Sequence, residues 1–315
     1  MLSLLIHRIF QGVLTLFVVS VLVFVGTEIL PGDVAEAVLG QSATPETVAA
    51  LRQNMGLDQP APVRYAAWLS GFATGDLGHS LATGRPVAEL MGERLVNTIL
   101  LGLLTAIVAV PLALLIGVLS AVYPRSLTLK SLMLGTLCTA SAPEFFVAAI
   151  LVAIFAVRLR WLPGIAYLSE GQSLLAMLRT LALPVMTLTA AVLAHMARMT
   201  RMALLNVMET SYIETARLKG ISRFKVVVHH ALPNVIAPIA NAVAINLAYL
   251  IGGVVIVETM FSYPGLAKLM VDAVTTRDIP IVQGCAMVFC GAYVLLNLAA
   301  DVLSIVANPR LRLPR

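Results

Sequence analysis

Ionisable and nucleophilic side chains are scarce in this sequence, and few are spaced for chemistry. His229 and His230 are adjacent, so on a helix their imidazoles diverge by about 100° and do not share a metal ion. His195 is a lone polar residue in an apolar run, read as packing or hydrogen bonding between helices. Cys138, Cys285 and Cys290 lie in apolar stretches, and three cysteines without a CxxC argue against both a disulfide framework and a zinc set. No HExxH, no GxSxG and no carboxylate pair on one apolar face occurs, and no GxxxxGK[ST] phosphate loop offers P-loop binding of ATP. Glu144, Asp301 and Glu28 are read as lying near the ends of apolar segments, where hydration is cheap; a mid-segment charge would advertise a proton relay. The sequence therefore predicts no catalytic residue, no bound metal and no cofactor held by this chain.

What the chain does concentrate is positive charge in a patterned stretch, SYIETARLKGISRFKVVVHHALPNVIAP, residues 211–238. Tyr212, Ala216 and Lys219 to one side, with Ile213 and Arg217 to another, fit a short helix that Gly220 ends. Ser222 is placed to cap a second helix from about Arg223 to Leu232, with Pro233 as its stop. Two short helices meeting at a glycine turn make a rigid basic knob, suited to a soluble partner or to lipid headgroups. An amphipathic interfacial hairpin with no partner fits the same pattern.

The elements that position this knob follow from composition. Of 315 residues, 59% are apolar and 12% charged, and the mean hydropathy is +0.94. A soluble domain would carry about a quarter charged residues, so lipid is the solvent this chain requires. The net charge of +5 is not gathered into a patch with interleaved aromatics, which excludes nucleic acid as the partner. Crossing hydrocarbon takes roughly 20 mostly apolar residues. Six segments qualify: 9–30, 96–123, 132–157, 181–205, 235–257 and 281–306, with Pro111, Pro143 and Pro238 inside the second, third and fifth. The first resembles a secretory signal but is long enough to span and ends in PGD, so it is read as a retained helix.

The expected architecture is an all-α membrane protein with six transmembrane helices. It divides into an N-terminal helix (1–30), a small extracytoplasmic domain (31–95), a core (96–306) carrying the loop 208–234, and a tail (307–315). In the insert, Thr44 before Pro45 reads as a helix N-cap and a second short helix runs from Ala61 to Phe72. His7 and Arg8, Arg125 and Lys130, the basic run Arg198–Lys225, and Arg310, Arg312 and Arg315 fall on one side of an even-numbered topology, which the positive-inside rule makes cytoplasmic. Both termini are then cytoplasmic. The insert has seven acids against four arginines, as an outer segment should. One connection disagrees, with Arg158, Arg160 and Arg179 against Glu170.

ETARLKG followed by LP resembles the EAA loop of ABC importer permeases: Glu214, Ala216, Gly220, Leu232 and Pro233 occupy its positions, Thr215 replaces the middle Ala, and His230 stands where a large aliphatic residue is usual. GLDQP (56–60), GDLGHS (75–80), TGRPV (83–87) and ERLVNT (93–98) resemble the region after the first span in B-type permeases of dipeptide, oligopeptide, nickel and glutathione systems. ETMFSYPGLAKLMVDA (258–273), RDIPIVQG (277–284) and NPRLR (308–312) resemble later parts of the same family, with Ala267 where a second Gly is common and Asn308 where Asp is usual. The resemblance implies the type I ABC importer permease fold in a bacterial inner membrane. It implies that Glu214, Thr215, Ala216, Arg217, Gly220, Ile221, Arg223, Leu232 and Pro233 form a coupling helix seated in a groove of an ATPase subunit. Its implied partners are a homologous second permease subunit, two ATP-binding subunits that hold ATP and Mg, membrane lipid, and an extracytoplasmic substrate-binding protein. The implied cargo is peptide, with nickel, glutathione or opine-like solutes as alternatives.

Two further groups complete the expectations. Asn241, Asn246, Gly252 and Gly253 in span five either line a weakly polar translocation path or merely bridge helices. Asp76 in GDLGHS, and Pro264 and Gly265 in FSYPG, sit in compact turns that either dock a binding protein or only stabilise the fold. A secondary transporter acting alone would need an ion-coupling acid or broken helices near mid-membrane, and the sequence displays neither clearly.

Overall fold

The computed structural model describes residues 2–29, 43–54, 56, 58–169 and 171–307. Part of the predicted insert, Glu170 and the NPRLR tail with Arg310, Arg312 and Arg315 lie outside the described residues. The described regular structure is helical, with only an isolated bridge between His79 and Pro86. In chain order the helices are α1 (Leu2–Ile29), α2 (Pro45–Asn54), α3 (Ala61–Thr74), α4 (Val87–Val122), α5 (Leu127–Ser141), α6 (Glu144–Arg158), α7 (Leu174–Met208), α8 (Ser211–Leu218), α9 (Arg223–Met260), α10 (Leu266–Thr276) and α11 (Ile279–Ala307). Thr44 caps α2 as expected, its hydroxyl accepting from the Thr47 amide at 3.3 Å.

Among the described residues, five helices are long and apolar enough to cross a membrane, namely α1, α4, α7, α9 and α11. The third predicted span is different. Residues 132–157 are not one rod; α5 and α6 meet at 112°. Pro143 explains the break, because its ring disfavours the helical region for the preceding residue. Ala142 is extended (φ −88°, ψ 142°), and α6 starts afresh at Glu144. Pro111 and Pro184, by contrast, lie inside unbroken helices. Glu144 is thus at a break in the middle of an apolar segment rather than near its end.

The chain divides into two compact units, one built around Ile99–Tyr263 and the other around Phe10–Thr98 and Pro264–Val294. In the first, α7 supplies much of the core, with Leu181, Leu183, Leu188, Val192, Met196 and Leu204 buried. Gly117 of α4 lets that helix touch α7: a Cβ there would lie 2.7 Å from the Ala197 carbonyl oxygen, the close approach that small residues permit between membrane helices. Asp301 pairs with Arg8 at 3.3 Å.

The second unit has its own buried cluster of Val87, Met91, Leu266, Ala273, Ile281 and Cys285. Its aromatic residues Phe24, Tyr65 and Trp68 cluster with edge-on and tilted rings, each touching the other two, and Glu28 pairs with Arg64. Asp278, 1% exposed, accepts from the Ser80 hydroxyl at 2.5 Å and from the amides of Leu81 and Ala82 at 3.1 and 3.3 Å. That cradle pins the 76–86 loop to the start of α11. Removing an acceptor from buried donors costs about 1–3 kcal/mol per group. Asp278→Ala should therefore lower the melting temperature of the purified protein in detergent by several degrees. An unchanged melt would show that the loop is held by other contacts.

Candidate functional site

The patterned stretch folds as a compact corner between α7 and α9. An eight-residue helix is marginal on its own, and α8 is held by packing. Ile213 and Ala216 face inward, joining Leu204 and Met208 of α7, Ala121 and Val122 of α4, and Val226, Val227, Ala231, Val235 and Ile239 of α9 in one buried cluster. Glu214 in the first turn suits the positive end of the helix dipole. The turn after α8 closes in a Schellman pattern: the Ile221 amide donates to the Ala216 carbonyl at 3.3 Å and the Gly220 amide to Arg217 at 2.9 Å. Gly220 has φ +77°, a conformation that side chains with a Cβ rarely adopt.

Three expectations are corrected here. The helix that follows does not stop at Pro233. It runs from Arg223 to Met260, passing Pro233 through a π turn (Val226–Ala231) and a 3-10 turn (Leu232–Val235) that re-register the backbone hydrogen bonds around the missing amide. Ser222 sits at its start with extended backbone, but its hydroxyl makes no cap bond. The inward face of α8 is Ile213 with Ala216; Tyr212, Arg217 and Lys219 are exposed. Tyr212 is nonetheless tied down, its hydroxyl accepting from Asn234 at 3.0 Å, while Asn234 donates to the His230 carbonyl at 2.7 Å. Arg223 donates to the Ala121 carbonyl at 3.3 Å, joining the corner to α4.

The outer surface of the corner carries Glu214, Thr215, Arg217, Lys219 and Gly220, with Ile221 and Leu232 half-buried and Pro233 exposed. Leu218 is 82% exposed and Phe224 49%. These two apolar groups flank the glycine turn among cations, and sequence reasoning did not select them. An apolar residue on the exposed side of a short basic helix was the available signal.

The span-five candidates separate. Asn246 is buried, its amide donating to the Ala242 carbonyl at 2.7 Å and lying 2.9 Å from Nδ1 of His195 on α7, so it bridges helices. Gly253 is buried against Glu144: a Cβ there would meet the carboxylate oxygens at 2.9 and 3.1 Å. One of those oxygens, Oε2, is buried without a hydrogen-bond partner. Gly252 lies on the exposed face, which Ile245, Tyr249 and Ile256 share, and Asn241 is half-buried.

In the second unit, Asp76 is exposed and shapes its own turn by accepting from the Gly78 amide at 3.0 Å. Pro264 is half-buried and Gly265 buried. The Pro264 carbonyl accepts from Asn97 at 2.8 Å, and the Thr98 hydroxyl accepts from the first amide of α10, Leu266, at 2.8 Å. Among the described residues no group of three or more His, Cys, Asp or Glu is arranged to hold a metal.

Residues 113–313 match the family described as binding-protein-dependent transport system inner membrane component, and residues 1–102 match the N-terminal family of such membrane components. The chain is 37% identical over 306 residues to a probable peptide ABC transporter permease of Sinorhizobium fredii, covering 97% of this chain and 98% of that one. It is 37% identical over 313 residues to a putative peptide transport system permease of Brucella abortus, with 99% of each covered. It is 35% identical over 312 residues to the glutathione transport system permease of Escherichia coli K12, again with 99% of each covered.

Overfilling a packed site costs about 1–3 kcal/mol. Ala216→Leu should therefore lower the melting temperature of the purified protein by several degrees, whereas Lys219→Ala on the exposed side should leave it unchanged. Equal melts for the two variants would contradict the inward seating of Ala216.

Proposed function

This chain belongs to the family of binding-protein-dependent transport system inner membrane components, and from that premise we propose that it forms half of the translocation path of an ATP-driven peptide importer. The observation that carries the proposal is the α8 corner, a small rigid element that presents Leu218, Phe224 and a set of cations outward. Two relatives named for peptide transport support the cargo, and glutathione, itself a peptide, is the named cargo of a third.

In this reading α5 and α6 together make the third of six crossings, both termini are cytoplasmic, and the 31–95 segment lies outside. A substrate-binding protein delivers peptide to the outer face, where the turns at Asp76 and at Pro264 and Gly265 are candidates for its seat. A homologous permease subunit completes the path, and two ATPase subunits hold ATP and Mg. This chain contributes no catalytic group. ATP binding draws the ATPase pair together, and Glu214, Thr215, Ala216, Arg217, Gly220, Ile221, Arg223, Leu232 and Pro233 belong to the element that receives the motion. α9 starts at this corner and runs unbroken for 38 residues, about 57 Å at helical rise. Displacing the corner therefore displaces the helix bearing Asn241, Asn246, Gly252 and Gly253.

The bend at Pro143 with Glu144 beside it is the feature an ion-driven carrier would need, and energy dependence separates the two readings. In vesicles holding the whole importer, uptake should require ATP, and Gly220→Val should permit assembly and ATP hydrolysis while abolishing most uptake. Uptake of solute by this chain alone without ATP, or full uptake with Gly220→Val, would refute the proposal.

A further inference from the structure

α8 is too small to be a whole docking surface. Its eight residues extend about 12 Å at helical rise, and one side of it is sealed against α4, α7 and α9. A stable protein contact buries roughly 800 Å² on each partner, about 20–30 residues a side. A subunit seated on the corner must therefore also touch neighbouring chain.

The connection between α4 and α5 is that neighbour. Ala121 and Val122, which end α4, belong to the same buried cluster as Ile213 and Ala216, and Arg223 donates to the Ala121 carbonyl at 3.3 Å. An open cavity of about 640 Å³ lies here, lined by Tyr123, Arg125, Leu129 and Arg223 among others. Arg217 of α8 and Arg125 both lie near enough to Arg223 for their charges to repel it. No acid lines the cavity, and among the described residues none of these three arginines has a carboxylate within ion-pair distance. Apolar groups stand exposed beside the cations: Tyr123 is 53% exposed and Leu127 76%, as Leu218 and Phe224 are beside the glycine turn.

We propose that the α4–α5 connection is a second seat for the ATPase subunit, where Arg125, Arg217 and Arg223 converge on acidic side chains of that partner and Tyr123 and Leu127 pack around them. This seat rests on the reading of the corner as the ATPase contact and extends it from one short helix to two adjoining elements. Three like charges held together repel one another, and opposing carboxylates relieve that cost. Arginine and tyrosine are also the side chains enriched where proteins meet. A phospholipid headgroup offers the same charge. Continuity with the α8 surface favours the subunit, and cross-linking separates the two.

The test uses the whole importer in native membranes, with a photo-cross-linking amino acid at position 125 and, in parallel, at position 218. Position 125 should give an adduct with the ATPase subunit. Arg125→Glu sets a like charge against the partner's acids and should lower the ATPase subunit retained on purification in mild detergent about tenfold or more, whereas Arg125→Lys should keep most of it. Arg125 is exposed, so neither variant should move the melting temperature of the isolated chain. An adduct from position 218 without one from 125, an adduct of position 125 with phospholipid only, or full retention with Arg125→Glu would overturn the second seat and leave the contact at α8 standing. Absence of an ATPase adduct from both positions would overturn the two together.

Discussion

An eight-residue helix gains too little from its own hydrogen bonds to hold a shape in water, so α8 exists because Ile213 and Ala216 are sealed against α4, α7 and α9. The small Ala216 side chain brings the backbone of α8 close to those helices. The Gly220 turn, with φ +77°, returns the chain at once into α9. Everything proposed for this corner depends on that seating. A loosely tethered loop with the same cations would bind a partner but absorb its motion.

At the corner the backbone also departs from regular α-helix. α9 enters through a π turn and a 3-10 turn before settling into a regular helix at Ile236. Such turns let Pro233 be accommodated without a break, as Pro143 is not. At Pro143 the chain instead bends by 112° and places Glu144 against Gly253 of α9. The first unit therefore contains both a continuous helix attached to the corner and a broken one packed on its far half. Their contact through Gly253 is the place where a shift of α9 would be felt by α6.

How much of this was legible in the sequence depended on the range of the interaction. The apolar runs announced their helices because hydropathy is local, although the helices overrun the predicted spans, with α4 starting at Val87 and α9 at Arg223. The Gly220 turn and the Thr44 cap were readable for the same reason. The prolines were not distinguishable by residue type: Pro111, Pro143 and Pro233 meet different fates because neighbouring helices and local re-registration decide them. The inward face of α8 was ambiguous because Tyr212 and Ile213 offer alternative apolar stripes one residue apart. Asp278 could not have been paired with Ser80 from one sequence, since 198 positions separate them.

The central claim is that the α8 corner faces an ATPase subunit. A photo-cross-linking amino acid placed at Leu218, irradiated in native membranes containing the whole importer, tests it most directly. The account predicts an adduct with an ATPase subunit that changes in yield when ATP is supplied. An adduct with the substrate-binding protein instead, or modification of position 218 by a membrane-impermeant reagent added from outside, would contradict it.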